Sequence, residues 1–216
     1  IKVLRGRERE EINRILFELS AEAGNFADGI KSSYEACVDL NVIFAKAHLA
    51  NKMKATKPVV NADGIIDIKQ ARHPLIDKNK VVPVDISLGE KYDTLVITGP
   101  NTGGKTVSIK TIGLFTLMTM CGLFIPAEDF SRVSVFDRVL ADIGDEQSIQ
   151  QNLSTFSSHM TNVAHILSVA DDSSLVLIDE LGAGTDPTEG AALAVSIIEA
   201  LRAKGAKIAA TTHYAE

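Results

Sequence analysis

The stretch from Gly99 to Thr106 constrains what this chain can fold into more than any other. Its residues, GPNTGGKT, match the pattern G-x-x-x-x-G-K-[ST]. The apolar run Leu95–Ile97 before it predicts a buried strand, and residues 107–120 after it predict a helix. This order of strand, loop and helix is the setting in which the pattern binds phosphate. It argues against the alternative, a glycine-rich turn with an unrelated lysine.

The chemistry of this loop predicts a nucleoside triphosphate as the ligand. Glycines let the backbone wrap a phosphate, and the loop N–H groups and the positive end of the helix dipole attract the anion. Lys105 is expected to reach the β- and γ-phosphates, and the Thr106 hydroxyl to bind Mg²⁺. The predicted phosphate-binding residues are Gly99, Pro100, Asn101, Thr102, Gly103, Gly104, Lys105 and Thr106.

Overall charge gives little support to a general nucleic-acid-binding surface. The chain has 216 residues and a formal net charge of -6, which speaks against a polyanion-binding surface but leaves local basic faces open. The length allows one large domain, or one α/β domain with an appendage.

The two cysteines and the chain start predict a cytoplasmic fragment. Cys37 and Cys121 lie in unrelated contexts, so we expect both to be reduced and in or near the core. No signal peptide is visible. The apolar stretch 112–127 is shorter than the roughly 20 residues of a membrane helix, which favours a buried helix. Because the chain begins at Ile1 rather than a methionine, we expect it to be a piece of a longer protein.

The N-terminal part predicts a pair of helices. Apolar residues recur at helical spacing, and Gly24 and Gly29 mark a break before a second helix over about 30–54. Pro58 ends that helix. We therefore predict a helical, lever-like segment over 1–60 and a nucleotide-binding domain over 61–216. A passive packing appendage and a lever that carries nucleotide state are both open for the first segment.

Further strands are predicted between this boundary and the middle of the chain. Residues 65–68 and 81–86 are strand-like, and Pro83 favours a sheet edge for the second. Residues 133–136 and 139–141 also predict strands, followed by a polar connector to Asn152. Its glutamines could orient the metal or the attacking water, although a solvated loop is the simpler interpretation. Ser154 is predicted to cap the helix that follows, where a phosphate could also bind.

An apolar strand that ends in two acids supplies the predicted catalytic carboxylates. LVLIDE runs from Leu175 to Glu180, and the carboxyl ends of parallel strands face the ligand crevice. We expect Asp179 to bind Mg²⁺ through water and Glu180 to act as general base on the attacking water.

The last predicted units are a helix and a strand. Asp186 and Pro187 are typical of a helix start, and Gly205 of its end. Residues 207–210 predict a strand that leads to His213. A neutral His213 imidazole is expected on the same rim as Lys105, where it could donate to the γ-phosphate.

Taken together, five blocks resemble the MutS family of mismatch-repair ATPases, which have the ABC-type nucleotide-binding fold. The blocks are Arg72-His73-Pro74, GPNTGGKT at 99–106, Ser154-Thr155-Phe156, LVLIDE at 175–180 and Thr211-Thr212-His213. LADIGDEQSIQQ at 140–151 and the turn after Glu180 resemble the second bacterial branch, MutS-II. The resemblance implies an α/β P-loop NTPase of ABC type, with a mixed sheet flanked by helices, that hydrolyses ATP with Mg²⁺.

The same resemblance implies a composite site. Two ATPase domains pair head to tail in such proteins, so Asn152 and Ser154 would contact the γ-phosphate bound by the partner subunit. The resemblance also places the adenine near Val81 and Val82, and the metal between Thr106 and Asp179. It implies a parent homodimer that binds branched or duplex DNA, and also ribosomes, through regions outside this chain, and that nicks DNA through a further domain.

Other classes of protein remain as alternatives. A nucleotide-binding and interaction module that does not hydrolyse ATP on its own is open. An ABC transporter motor is disfavoured because residues 152–156 replace the LSGGQ-type signature and no membrane-coupling surface is apparent. A GTPase is disfavoured because no N-K-x-D motif occurs.

Overall fold

The computed structural model describes residues 2–100, 103–144 and 152–213, and for residues 152–156 only the backbone. The chain divides into two compact units, Ile1–Leu49 and Ala50–Glu216. The elements, in chain order, are α1 (Lys2–Asn25), α2 (Ala27–Met53), β1 (Val59–Asn61), β2 (Ile66–Ala71), β3 (Val84–Leu88), β4 (Thr94–Thr98), α3 (Lys105–Met120), β5 (Arg132–Ser134), β6 (Arg138–Asp142), α4 (Asn152–Val169), β7 (Ser174–Ile178), α5 (Pro187–Ala203) and β8 (Lys207–Thr212).

The first unit consists of α1 and most of α2. The two helices meet at Phe26, between the glycines that predicted the break. No residue of either helix is buried. Of their apolar residues in the described part of the chain, only Met53, at the end of α2 and within the second unit, packs against an apolar cluster.

The second unit contains two four-stranded sheets. The first has the order β1-β5-β2-β3 and is mixed: β1 and β5 are parallel, while β2 is antiparallel to β3 and β5. The second has the order β4-β8-β7-β6 and is parallel throughout. The predicted α/β class is confirmed, with the strands divided between two sheets. β3 is an edge strand, as Pro83 indicates.

Helix α3 forms the main core. Its residues Ile109, Ile112 and Phe115 are fully buried, and they belong to one apolar cluster with residues of both sheets. Gly103 and Gly104 directly precede this helix. Because the core fixes the helix, it also positions these two residues.

Strand β7 is buried along its whole length, as is typical of a parallel strand covered on both faces. Leu175 and Leu177 join the cluster around α3, while Val176 and Ile178 join a second cluster with α4 and α5. The two faces of β7 therefore hold helices on opposite sides. This packing fixes the position of its carboxyl end.

The turn that leads into β7 is organised by Asp171. Its carboxylate accepts hydrogen bonds from Ser173 and Ser174 and pairs with Arg138. The Ser174 hydroxyl, then that of Ser173, and then Arg138 lower the pKa of Asp171 to about 2. The carboxylate thus stays ionised over the ordinary pH range.

Two expectations about local environment were wrong. Cys37 and Cys121 are both exposed, because Cys37 lies on a helix without buried residues and Cys121 follows the last turn of α3. The predicted reducing, cytoplasmic setting stays a prediction. Ser154 is not a helix cap, because α4 begins at Asn152 and places Ser154 within its first turn. Across the described ranges, no helix has the length and apolarity needed to cross a bilayer.

Gly89 lies where two stretches of backbone approach each other closely. Its φ is 92°, and a Cβ at this position would lie 1.9 Å from the carbonyl oxygen of Gly64. We expect Gly89→Ala to lower the free energy of unfolding by about 2–4 kcal/mol, through backbone strain and this clash. Urea unfolding measures the effect. Gly29→Ala, whose added methyl group meets no atom within 4 Å, is the control, and an equal loss in both variants would contradict the explanation.

Candidate functional site

The described part of the loop between β4 and α3 ends in a glycine turn at the start of a helix. Gly104 precedes α3 with φ 73° and ψ 17°, in the left-handed region that favours glycine. The Gly103 N–H donates to the Pro100 carbonyl at 3.1 Å. Helix α3 starts at the next residue, Lys105, so its first N–H groups open towards the loop. Two predicted residues of the loop, Asn101 and Thr102, lie outside the described residues.

Lys105 is buried without an acidic partner among the described residues. Only 4% of its surface is exposed. Its ammonium donates to the carbonyl of Gly99 and lies 3.4 Å from Nδ1 of His213. A buried ammonium that contacts only a carbonyl and an imidazole is poorly compensated. An anion beside it would therefore be strongly favoured.

Asp179 joins three elements at the carboxyl end of β7. It is 6% exposed, and its Oδ1 accepts hydrogen bonds from Thr106 at 3.2 Å and from Thr211 at 2.5 Å. Its own N–H donates to the carbonyl of Asp142 at 2.8 Å. The start of α3 and the end of β8 thus meet at the Asp179 carboxylate, and the end of β6 is joined to the backbone of the same residue.

Glu180, the next residue, has an unusual backbone. Its φ is 52°, a left-handed conformation that is uncommon for a residue other than glycine. Its N–H donates to Oγ1 of Thr211 at 2.7 Å, which helps to hold this conformation. Strain of this kind concentrates at functional sites. It turns the chain away from the line of β7 at the point where the second acid begins.

The His213 side chain lies between Glu180 and Lys105. Its Nε2 lies 3.2 Å from Oε1 of Glu180, and its Nδ1 lies 3.4 Å from Nζ of Lys105. The Lys105 ammonium can only donate, so Nδ1 accepts and the proton is on Nε2, which donates to Glu180. The His213 side chain is 38% exposed, so it lies at the open rim of the site.

The structure thus brings together Lys105, Thr106, Asp179, Glu180 and His213, while the backbone of Gly99 and Gly104 frames the loop. The side chains of Asn152 and Ser154 lie outside the described residues. Val81 lines a cavity of about 410 Å³ together with basic residues that include Arg72, His73 and Lys78. Val82 is 82% exposed.

The donor set at Asp179 suits a magnesium ion that also binds phosphate. Among the described residues, no cluster of three or more His, Cys, Asp or Glu side chains could hold a metal alone. Mg²⁺ in phosphate sites usually takes one or two protein oxygens, with water and phosphate oxygens completing the shell. A hydroxyl from Thr106 and a carboxylate from Asp179 meet this requirement.

Sequence reasoning assigned no role to Thr211, which links the two acids. This threonine is fully buried; it donates to Asp179 and accepts from the Glu180 N–H. The pairing of β7 with β8 places it there. A small hydroxyl residue at the end of the strand beside the acids was the available signal.

Replacing Thr211 by the isosteric Val is expected to destabilise the domain by about 1–3 kcal/mol, because Asp179 loses a donor and the Glu180 N–H loses its acceptor. Urea unfolding at constant pH measures this change. Thr211→Ser retains the hydroxyl and should recover most of the stability. An unfolding free energy of the Val variant equal to that of the unmodified chain would contradict the linking role.

Comparison with known proteins supports a common origin for this arrangement. Residues 95–216 match the family model described as MutS domain V. Proteins named Endonuclease MutS2 from Caldicellulosiruptor saccharolyticus, Lachnospira eligens and Clostridium botulinum strain Loch Maree are 56%, 58% and 58% identical to this chain. Each similarity covers the whole chain and 27% of the relative.

Proposed function

The chain belongs to the MutS family through its domain V, and on that premise we propose that it is the ATP-binding and ATP-hydrolysing module of a MutS2-type protein. The observation that carries this proposal is Lys105. This residue is 4% exposed and its ammonium lacks an acidic partner among the described residues, yet it lies at the start of α3 within the same site as Asp179 and Glu180. The phosphates of ATP supply the anion that such a lysine requires.

Each residue of the site has a distinct part in this proposal. The loop N–H groups and Lys105 bind the phosphates, and Lys105 exchanges its contact with Gly99 for phosphate oxygens. Thr106 and Asp179 would hold Mg²⁺, which when bound would neutralise charge on the phosphates. Thr211 keeps Asp179 oriented.

Glu180 acts on the water. Its carboxylate orients a water molecule and accepts its proton while the water oxygen bonds to the γ-phosphorus and the bond to the β,γ-bridging oxygen breaks. ADP and inorganic phosphate are the products. His213, neutral and protonated on Nε2, holds the Glu180 carboxylate in the resting arrangement and can donate to the γ-phosphate.

Two copies are proposed to complete each site. Asn152 and Ser154 of one copy would face the γ-phosphate held by Lys105 of the other, so that the parent homodimer joins through its ATPase domains. The adenine of ATP is proposed to lie near Val81, which lines a cavity, rather than near the largely exposed Val82.

The activity of the whole parent protein is also a proposal, because the chain spans 27% of the length of its curated relatives. We infer that ATP turnover drives movement in a DNA-handling clamp that acts in recombination control or repair, and that ribosome binding and DNA nicking reside in other regions. The relatives are named endonucleases. The short span favours a second candidate, a nucleotide-binding and dimerisation module that needs the rest of the parent for hydrolysis.

Phosphate release measured against protein concentration distinguishes the two functions. A composite site predicts that the rate per chain rises steeply with concentration, because both half-sites must meet. A rate per chain that is independent of concentration would contradict the composite site. Saturable ATP binding without phosphate release at any concentration would favour the second candidate.

A further inference from the structure

A buried carboxylate outside the phosphate site attaches α4 to the parallel sheet. Asp142 is the last residue of β6, and its side chain is 8% exposed. Its Oδ2 lies 2.9 Å from Nδ1 of His159, and its Oδ1 accepts from Nδ2 of Asn162 at 2.8 Å. Asn162 also donates to the carbonyl of Ala141 at 3.2 Å. Both donors belong to α4, so one carboxylate holds two positions of that helix.

The two donors reach Asp142 from the same side of α4. His159 and Asn162 are three residues apart and therefore share a face of α4. An ionised carboxylate can only accept, so the proton of the His159–Asp142 bond belongs to Nδ1. The imidazole also packs on Gly144, where an added Cβ would lie 3.1 Å from Cε1 of His159. The ring therefore has little freedom to turn away from Asp142.

The opposite side of Asp142 contacts the phosphate site. Its carbonyl oxygen accepts the N–H of Asp179 at 2.8 Å. Asp179 in turn accepts from Thr106, the second residue of α3. A continuous chain of hydrogen bonds thus runs from α3 through Asp179 and Asp142 to α4.

We propose that Asp142, His159 and Asn162 form a latch that makes the position of α4 depend on the state of Asp179 in the same subunit. The inference rests on the proposed function. The first turn of α4 holds Asn152 and Ser154, which that proposal directs at the partner's phosphates. The latch therefore links the nucleotide site of one subunit to the site that this subunit completes in the other. Its members are positioning residues and do not touch ATP.

The physical basis is the cost of releasing Asp142. A buried carboxylate that loses one of two donors is left partly unsatisfied, which costs free energy. If Asp179 and Asp142 shifted while α4 stayed in place, Asp142 would lose donors in this way, so α4 is expected to move with them. Removing the His159 donor should uncouple α4, whereas Asn at this position can still present an N–H to Oδ2. His165 lies on the exposed side of the same helix and provides a control site.

Complementation between variants of this chain tests whether the latch acts in trans. His159→Ala should lower phosphate release at least about tenfold while the Kd for ATP stays within about twofold. His159→Asn should recover most of the rate, and His165→Ala should not change it. Mixing His159→Ala with Glu180→Gln should restore activity, because the mixed dimer contains one site with an intact Glu180 that is completed by an α4 whose own latch and phosphate loop are intact.

Three results would overturn the latch: an unchanged rate in His159→Ala, a large loss of ATP affinity in that variant, or no recovery on mixing. Turnover that survives in Lys105→Ala alone would instead reject the proposed function. The two failures are therefore distinguishable.

Hydrogen exchange provides a readout that does not require turnover. In the Glu180→Gln variant, addition of Mg²⁺ and ATP should change the hydrogen-exchange rates of the α4 amides in 152–158. Adding His159→Ala to this variant should remove that change, and adding His159→Asn instead should retain it. An equal change with and without the His159 donor, or no change in the chain with an intact latch, would overturn the proposal. If His159→Ala does not fold, the same measurement is made on Asn162→Ala, which removes the other α4 donor to Asp142, and on His159→Asn, which keeps a donor.

Discussion

Replacing Glu180 by Gln is expected to lower ATP turnover by about a hundredfold to ten-thousandfold while the Kd for ATP stays within about twofold. Gln has the same shape and can still accept from Nε2 of His213, which lies 3.2 Å from the carboxylate. Its amide cannot take a proton from water. The loss should therefore fall on the chemical step alone.

Single-turnover phosphate release and equilibrium ATP binding, measured on the same preparation, separate the two effects. Glu199→Gln makes the same change on an exposed position of α5 and should leave both quantities unaltered. Turnover in Glu180→Gln within about threefold of the unmodified chain would reject Glu180 as the general base.

Replacing Lys105 by Ala is expected to weaken ATP binding by about a hundredfold or more, because the phosphates lose a charge-assisted donor in a buried site. The same change should leave the free energy of unfolding of the ligand-free chain unchanged or raise it. The reason is that it removes the charge of a residue that is only 4% exposed and has no acidic partner among the described residues. Few substitutions of buried residues should weaken binding without reducing stability.

Isothermal titration with Mg²⁺ and ATP, together with urea unfolding of the ligand-free chain, measures both quantities. Lys91→Ala removes an exposed lysine and is the control for charge alone. Unaltered ATP affinity in Lys105→Ala would reject the role of this residue, and a loss of several kcal/mol in stability would show that the lysine is structural.

Local sequence was sufficient where neighbouring residues determine the structure. The order of apolar run, glycine-rich loop and following helical stretch located α3 and the loop before it. Asp186 and Pro187 predicted the start of α5, where Asp186 accepts from the N–H groups of Thr188 and Glu189. The uninterrupted apolar run predicted β7, because a strand covered on both faces excludes polar residues.

Features that depend on distant pairing could not be predicted in this way. The division into two sheets depends on which strands pair, and the linking role of Thr211 depends on β8 lying beside β7. The contact of His159 with Asp142 joins residues on a helix and on a strand. Exposure of Cys37 was missed because residue type alone does not indicate whether a helix face is covered.

The phosphates of ATP and their metal are proposed to lie where β4, β7 and β8 end. Manganese prefers the same oxygen ligands as magnesium, and its paramagnetism broadens nearby amide signals. In the NMR spectrum of the chain with ATP, Mn²⁺ is predicted to broaden the amides of Gly104, Asp179 and Thr211 before that of Gly89. Broadening that spares these three amides, or that does not depend on ATP, would contradict the claim.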